Sequence, residues 1–352
     1  MENIADVLEI PVTKAEPGMR VAREIENSFG AILVSPGMIL DKELIEKLKR
    51  VGIERINVLN DSDEDIEDNR DSFIINYNES MDVIQEIYYT VKKSNKLEIK
   101  QISEVIDRVL KIKTNRDIVT MLTIIRDVDD YTYSHSINVG LLAMLFACWA
   151  GLNDKYKKRL LYAGILHDIG KAKVPDDILN KKGHLTKEEF KIMKKHSIYG
   201  YHLVKENLYI SNKIARGVLM HHERNNGTGY PFGFKKEKIT FIARVLAIVD
   251  TYDAMTSDRV YRGHRPPFDV FKLFENDLHS YDIRLSKIFM NNMSQYYLGE
   301  EVILKDGTKA EIVFINPNYI SKPIVKVGDK YVDLRNSENE IDELKISNII
   351  ID

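Results

Sequence analysis

Cysteine is almost absent from this chain. Among its 352 residues only Cys148 carries a thiol, so no disulfide can form within the chain. This usage fits a reducing compartment, and we expect a cytoplasmic location. An excess of charge of one sign is also missing, since 51 Lys and Arg residues stand against 54 Asp and Glu residues, for a formal net charge of -3. A nucleic-acid polymer requires concentrated basic charge and is not expected as a partner, whereas a small phosphate ligand needs only a few local cations.

Long apolar runs and a leader sequence are missing as well. The apolar run Ile137–Gly151 is shorter than the ~20 residues that a transmembrane helix needs, and it predicts a buried core helix instead. The first residues, MENIADVLEIPVTKAEPGM, contain no basic region followed by an apolar one, so no signal peptide is expected. We therefore predict no membrane partner.

Residues 1–60 form the first of several regions of different composition. Short β-like runs at Met19–Ile25 and Ala31–Val34 are bounded by the Pro-Gly pairs Pro17-Gly18 and Pro36-Gly37. A short amphipathic helix is predicted at Lys42–Arg50 and a last strand near Arg55–Leu59. We interpret this region as a small N-terminal α+β module that is regulatory or architectural, and through which the chain could form a homodimer or bind a signalling partner.

Helical periodicity governs the centre of the chain. Residues 61–115 are predicted to be an acidic linker, Asp61–Asp71, followed by connecting helices. Apolar residues then recur at three- and four-residue spacing, which predicts a central all-α domain at 116–296. The adjacent Tyr88 and Tyr89 are interpreted as packing residues rather than as a stacking platform.

The pattern changes again after Tyr297. The turn Asp306-Gly307 lies between two β-rich runs and predicts a hairpin, and Asn316-Pro317-Asn318 predicts a further reversal. Residues 297–352 are therefore predicted to be a small C-terminal β appendage that ends in a polar tail.

The central domain contains all nine histidines, and several lie beside carboxylates in strongly apolar surroundings. An ionised carboxylate in such a place costs several kcal/mol unless it is paired or bound to a metal. A single buried histidine is usually a hydrogen-bonded core residue. Seven histidine and aspartate residues on what look like five helices of one domain instead predict a metal site. These residues are His135, His167, Asp168, His196, His221, His222 and Asp250.

The composition of this set indicates which ions it could bind. Imidazole and carboxylate without thiolate suit Fe, Mn, Zn or Ni. Seven ligands are too many for one ion that also binds water, but they suit two ions ~3.5–4 Å apart that share a carboxylate. The neighbouring His221 and His222 can then bind different ions.

Three sequence motifs carry a resemblance to a known family. His167-Asp168 followed by Gly170-Lys171, then HHERNNGTGYP, then DTYDAMTSDRVYR, resemble the HD-GYP subgroup of the HD-domain metal-dependent phosphohydrolases. The resemblance extends roughly from Arg116 to Tyr296. HD alone is a weak signal, but HD, HHE and GYP in this order are specific.

The resemblance implies a phosphodiesterase that hydrolyses the bacterial second messenger cyclic di-GMP to pGpG and/or GMP. It implies a two-metal centre formed by the seven residues above, with Asp168 as the bridging carboxylate. Iron or manganese is favoured, with zinc or nickel as alternatives. Asp168 and Lys171 are the expected catalytic residues, and the substrate-binding residues implied by position are Lys171, Arg259, Arg262, Gly229 and Tyr230.

Two departures from the family pattern bear on these expectations. Some members have a glutamate four residues before the first histidine, which supports a third metal, and here Tyr131 occupies that position. A phenol is a poor ligand at neutral pH, so two metals are expected. Asn226 replaces an aspartate that many members have in the turn, and little effect is expected because Asn tolerates the same backbone conformation.

Two alternatives remain open at this point. The chain could be a phosphohydrolase of another cyclic dinucleotide, such as one with mixed purines, since spacing does not reveal base selectivity. It could also be a cyclic dinucleotide sensor that keeps the metal only for structure. Degenerate receptors usually lose a metal ligand or the catalytic lysine, whereas this chain has all seven predicted ligands and Lys171.

Overall fold

A computed structural model of the protein describes most of the chain. It divides the chain into two compact units, residues 1–73 and 74–352. Within the described ranges every helix is too short or too polar to cross a membrane. The described residues are 7–17, 19, 21–26, 32–34, 40, 42–59, 63–110, 119, 122, 131–257, 265–335 and 345–350.

The first unit contains short strands and one helix around a small apolar core. Its elements are β1 (Val7–Pro11), β2 (Ile25–Glu26), β3 (Ile32–Val34), α1 (Lys42–Arg50) and β4 (Arg55–Leu59). β1 pairs antiparallel with β4, and β2 pairs antiparallel with β3. The predicted α1 and β4 are confirmed, whereas β1 was not foreseen. The strand predicted at Met19–Ile25 is mostly irregular and contributes only a bridge from Val21 to Val58 before β2.

The second unit is mainly helical. Helix α2 (Asp63–Ser94) begins in the first unit and belongs to the second from residue 74 on. The other helices of the second unit are α3 (Ile99–Val109), α4 (Tyr131–Trp149), α5 (Asp154–Leu166), α6 (Asp176–Leu179), α7 (Lys187–Met193), α8 (His196–Lys205), α9 (Asn212–Met220), α10 (Phe241–Thr256), α11 (Pro267–Asn276) and α12 (Ile283–Ser294). Helix α2 begins inside Asp61–Asp71, the segment predicted to be a linker. Acidic residues are favoured in the first turns of a helix because they complement the helix dipole.

Helices α4 and α10 form the centre of this unit. Both are buried around most of their circumference, which explains why their sequences are apolar without a clear polar face. α4 and α5 cross closely at two glycines, since a Cβ on Gly164 would lie only 2.5 Å from the Cα of Gly140. Asn153 caps α5, and Thr186 with Glu189 forms a capping box at the start of α7.

The second unit ends in an antiparallel sheet with the strand order β8-β7-β6-β5-β9. The reversals predicted at Asp306-Gly307 and at Asn316–Asn318 are confirmed as the β5–β6 and β6–β7 turns. The prediction of a polar C-terminal tail was wrong, since β9 pairs with β5. The isoleucines of β9 are typical of a strand. The strands are β5 (Glu301–Leu304), β6 (Lys309–Asn316), β7 (Tyr319–Val327), β8 (Lys330–Asp333) and β9 (Ile346–Ile350).

Candidate metal centre

The seven side chains predicted to be metal ligands come together in the helical unit. Six of them belong to residues that are at least nine-tenths buried, and the side chain of His222 is 20% exposed. They form two sets, and within each set one ligand atom per residue lies within 4.8 Å of all the others. The first set is His135, His167 and Asp250, and the second is Asp168, His196, His221 and His222.

The first set joins α4, the end of α5 and α10. The Nε2 atom of His135 lies 3.1 Å from Oδ1 of Asp250 and 3.3 Å from Nε2 of His167. His167 directly follows α5, where the helix gives way to a 3₁₀ turn. The three ligand atoms therefore converge although their residues lie on three different elements.

The second set joins the start of α8 and the end of α9. His196 is the first residue of α8, and its Nε2 lies 3.4 Å from Nε2 of His221, which caps the C-terminus of α9. The rings of His221 and His222 have their centroids 4.0 Å apart. The two adjacent histidines thus both reach the centre, because the helix ends between Met220 and His221 and the chain turns there. The prediction that they bind different ions is wrong in this arrangement, since both belong to the second set.

Asp168 lies between the two sets. Its Oδ1 is 3.3 Å from Nε2 of His196, while its Oδ2 is 3.1 Å from Nε2 of His167. One carboxylate therefore presents one oxygen to each set, which is the position that a bridging ligand requires.

Three of the histidines are oriented by their own main chain. In each, Nδ1–H donates to the carbonyl of the residue three positions earlier, which leaves Nε2 for the centre. The distances are 2.7 Å from His167 to Gly164, 2.8 Å from His196 to Met193 and 2.6 Å from His221 to Val218.

His135 is oriented by a carboxylate that the sequence prediction missed. Its Nδ1 lies 2.6 Å from Oδ2 of Asp253, a residue that is 5% exposed. Asp253 is on α10, three residues after Asp250 and therefore on the same side of the helix. A second carboxylate one turn after a predicted ligand, in an apolar helix, was the signal that could have found it.

Both carboxylates of the centre are held in the ionised form. Burial alone would raise the pKa of Asp168, but His167 and Lys171 hold that pKa well below its usual range. Burial likewise opposes ionisation of Asp250, yet its hydrogen bond with His135 and the neighbouring imidazoles lower its pKa. An ionised carboxylate is the form that binds a cation.

The imidazoles differ among themselves. Burial lowers the pKa of His221 to about 3 and also lowers the pKa of His222, and neighbouring imidazoles add to both shifts. These rings are therefore neutral, as metal binding requires. Although burial opposes it, hydrogen bonds with Asp250 and Asp253 raise the pKa of His135 to about 9. A cation bound there replaces a proton.

The residues of the centre fit divalent cations. Oδ1 of Asp168 is buried without a hydrogen-bond partner in the described part of the chain. Such an orphaned carboxylate oxygen is expensive unless a positive charge compensates it. Five imidazoles and two carboxylates, with no thiolate, form a donor set of borderline to hard character.

Lys171 lies at the edge of the centre. Its Nζ is 2.6 Å from Oδ2 of Asp168, and its side chain is 24% exposed. The preceding Gly170 packs against the first turn of α8, where a Cβ would overlap the carbonyl of His196. Lys171 therefore combines contact with the centre and access to the space outside it.

The turn around Gly229 and Tyr230 lies against His222. The rings of Tyr230 and His222 have centroids 4.6 Å apart, at an interplanar angle of 31°. A Cβ on Gly229 would lie 2.4–2.5 Å from the main chain of 222–224, so only glycine fits. Glu223, a second residue that the sequence prediction missed, is 1% exposed and accepts hydrogen bonds from the main-chain N–H groups of Phe232 and Phe234.

Two predicted site residues cannot be placed. Arg259 and Arg262, expected to bind phosphates, lie outside the described residues. The side chain of Tyr131, on which the expectation of two rather than three metals depends, is also outside the described part of the chain.

The centre opens into a cavity of about 1410 Å³. This exceeds the ~300–1,000 Å³ of ordinary small-molecule pockets. Its lining includes Asp168, Lys171, His222 and Tyr230 on the side of the metal centre, and residues of α2 elsewhere.

Comparison of the sequence with known proteins relates the helical unit to a family. Residues 120–285 match the family model described as an HD domain. A cyclic di-GMP phosphodiesterase of Pseudomonas aeruginosa is 37% identical over 200 residues, which cover 56% of this chain and 48% of that protein. One of Thermotoga maritima is 38% identical over 161 residues, 46% of this chain and 43% of that protein. A 3′3′-cGAMP-specific phosphodiesterase of Vibrio cholerae is 30% identical over 179 residues, 50% of this chain and 41% of that protein.

The segment that matches the HD domain contains all three motifs that carry the resemblance. The HD-domain match and these relatives confirm the resemblance that the motifs predicted. The chain spans less than half the length of each of these curated relatives.

Proposed function

We propose that this protein is a metal-dependent phosphodiesterase that hydrolyses cyclic di-GMP. The observation that carries this proposal is the convergence of seven side chains, six of them buried, into two neighbouring sets with Asp168 between them, at the wall of a large cavity. The names of two relatives, both cyclic di-GMP phosphodiesterases, support the substrate.

His135, His167 and Asp250 would hold one divalent cation, and Asp168, His196, His221 and His222 the other. Iron(II) or manganese(II) are the ions we propose, with zinc or nickel as alternatives. Two such cations, when bound, lower the pKa of water and compensate negative charge on phosphoryl oxygens.

The protein's own residues orient the substrate and compensate its charge. Lys171 presents an ammonium group beside Asp168, where it can hold a non-bridging phosphate oxygen. Water adds to phosphorus in line with the 3′ oxygen, the bond from phosphorus to that oxygen breaks, and the oxygen leaves as a hydroxyl after gaining a proton. The product is a 5′-phosphate, pGpG after one hydrolysis and GMP after two. We expect orientation and electrostatics to supply most of the rate gain.

A second candidate substrate is a mixed purine cyclic dinucleotide. The observation that favours it is the relative that is specific for 3′3′-cGAMP. The metal centre contacts phosphates and not bases, so it suits both substrates equally.

Reconstitution followed by product analysis tests the proposal. Protein loaded anaerobically with iron(II) or manganese(II) is incubated with cyclic di-GMP, and nucleotides are separated by chromatography. We expect pGpG or GMP from the wild type and intact substrate from Asp168→Ala. Intact substrate with wild-type protein of verified metal content would overturn the enzyme proposal, and tight binding of that substrate would then identify a sensor.

A further inference from the structure

One face of α2 forms part of the cavity wall, outside the segment that matches the HD family model. The cavity-lining residues on this face follow helical spacing, which identifies a single stripe. They are Asp82, Gln85, Glu86, Tyr89 and Lys92, and the largely buried Tyr88 beside them also reaches the cavity.

The rest of α2 packs into the core and fixes where the stripe lies. Ile84, Ile87 and Val91 are each at most 2% exposed. Tyr88 is 6% exposed, and its ring contacts Tyr133 of α4 edge-on, with centroids 5.3 Å apart. Helix α2 is therefore anchored on the same helix that carries His135, and its polar stripe is held beside the metal centre.

Tyr89 is the feature of this stripe that points to a ligand. Tyr88 and Tyr89 are adjacent in sequence, but the structure separates their roles, since Tyr88 is core and Tyr89 is 63% exposed on the cavity wall. An exposed aromatic ring is costly to leave in water, and it offers a face on which a nucleobase can stack. The sequence interpretation of this pair as packing residues therefore holds for Tyr88 only.

Glu86 lies beside Tyr89 on the stripe. It is exposed, and no ion-pair partner for it lies in the ranges that the structure describes. Lys92, the stripe's cation, is by contrast paired with Asp176 at 2.6 Å. The carboxylate of Glu86 is thus available to a ligand.

A carboxylate in this position discriminates between purines. Guanine presents N1–H and the 2-amino group side by side, two donors that match the two oxygens of a carboxylate. Adenine presents its N1 as an acceptor at the same place, and an acceptor faces a carboxylate unfavourably. Hydrogen bonds with a charged group are about twice as strong as neutral ones, so the difference is measurable.

We propose that this stripe of α2 is a base-binding subsite, in which Tyr89 stacks on a purine of the cyclic dinucleotide and Glu86 accepts hydrogen bonds from guanine. The subsite selects guanine over adenine, which the phosphate-binding metal centre cannot do. This inference rests on the proposed function, because it assumes that a cyclic dinucleotide occupies the cavity.

The test compares Glu86→Gln and Tyr89→Ala with the control Glu104→Gln, an exposed glutamate of α3 that does not line the cavity. Initial rates are measured with cyclic di-GMP, 3′3′-cGAMP, cyclic di-AMP and the base-free diester bis(p-nitrophenyl) phosphate. We expect Glu86→Gln to lower kcat/KM for cyclic di-GMP about tenfold, mainly through KM, and to leave cyclic di-AMP unchanged. Tyr89→Ala should lower kcat/KM for all three dinucleotides by about tenfold.

The base-free diester separates recognition from folding. Glu86→Gln should hydrolyse it at the wild-type rate, because it has no guanine for the carboxylate to bind. For Tyr89→Ala, whose missing ring also removes a stacking surface for a nitrophenyl group, an unchanged metal content and circular dichroism spectrum report the intact fold. An unchanged ratio between cyclic di-GMP and cyclic di-AMP in Glu86→Gln would overturn the subsite. Equal losses of rate on all four substrates would also overturn the subsite, because the substitution would then act through the fold and not through base recognition.

Failure of the proposed function would look different. If the wild type hydrolyses no dinucleotide, equilibrium binding of cyclic di-GMP is measured by calorimetry for the wild type and both variants. Binding that weakens in Glu86→Gln supports the subsite on a sensor, and absence of binding to the wild type overturns both proposals.

Discussion

The two walls of the cavity hold their side chains in opposite ways. On the wall of the metal centre four of the five histidines hydrogen-bond through Nδ1 to a carbonyl or a carboxylate, and six of the seven predicted ligands are buried. On the α2 wall Glu86 and Tyr89 are exposed, and only the opposite face of the helix is packed. The difference indicates a division of work. Bond cleavage needs a fixed constellation, whereas recognition of a flat base needs a correctly placed surface.

The largest expected effect comes from removing Asp168, the residue that serves both ligand sets. Asp168→Ala should reduce hydrolysis to background and lower the metal content per chain, because both cations lose a ligand. Elemental analysis and product chromatography measure the two effects. Asp176→Asn is the matched control, since Asp176 also lines the cavity but pairs with Lys92. Full activity of Asp168→Ala would contradict the proposed centre.

Lys171→Met should act on turnover and leave the metal in place. Loss of one preorganised cation at the reacting phosphate is expected to lower kcat by about 10²-fold. The variant should therefore combine wild-type metal content with slow hydrolysis, even of bis(p-nitrophenyl) phosphate. Lys191→Met, an exposed lysine of α7, serves as the control. A change in KM alone would assign Lys171 to substrate binding only.

Asp253→Asn should weaken metal binding without removing a ligand. Loss of a carboxylate that orients a metal-binding histidine typically costs about 10–100-fold in metal affinity or activity. Titration of the apoprotein with manganese(II) measures this affinity, and Asp269→Asn on the exposed side of α11 is the control. Unchanged affinity would show that His135 is oriented without Asp253.

The smallest expected effect concerns stability alone. Asp282 caps α12, and it accepts a hydrogen bond at 2.6 Å from Arg244, which is on α10 like Asp250. Burial opposes its ionisation, but the N–H of Leu285 with Arg244 and Lys236 lowers its pKa. Asp282→Ala should cost about 1–2 kcal/mol of unfolding free energy at pH 7.

The pH dependence of this effect has a defined sign. Because the folded pKa is lowered, the contribution of Asp282 is complete above the unfolded pKa of about 3.9 and is lost as the pH falls through the folded pKa. Urea unfolding of wild type, Asp282→Ala and the control Asp107→Ala at pH 7 and at decreasing pH measures it. A difference between wild type and Asp282→Ala that grew with acidification would contradict this assignment.

Sequence alone predicted which seven side chains come together in the helical unit, but it did not single out the stripe of α2. His167, Asp168 and Asp250 stand out because charged groups beside apolar residues require compensation. Asp253 also stands beside apolar residues, and Glu223 follows two predicted ligands, but only the structure shows that Asp253 contacts His135 and that Glu223 contacts the main chain of Phe232 and Phe234. The stripe of α2 has a polar pattern typical of any exposed helix face. Such a pattern does not reveal that the stripe lines the same cavity as the metal centre.

The strands show a similar limit. β6 and β7 were recognisable because a hairpin turn encodes its own pairing locally. β1 and β9 pair with strands far along the chain, β4 and β5 respectively, and nothing within five residues specifies such a distant partner.

The main-chain contacts of His167, His196 and His221 have a consequence for mutational robustness. The carbonyl three residues earlier is present whatever side chain occupies that position, so substitutions at Met193 or Val218 cannot delete the acceptor of His196 or His221. Gly164, which supplies the acceptor of His167, does not share this tolerance, because a Cβ there would lie 2.5 Å from the Cα of Gly140. His135 has no such protection, because its acceptor is the side chain of Asp253. A single substitution at Asp253, which is not one of the predicted ligands, can therefore remove the hydrogen bond that orients His135.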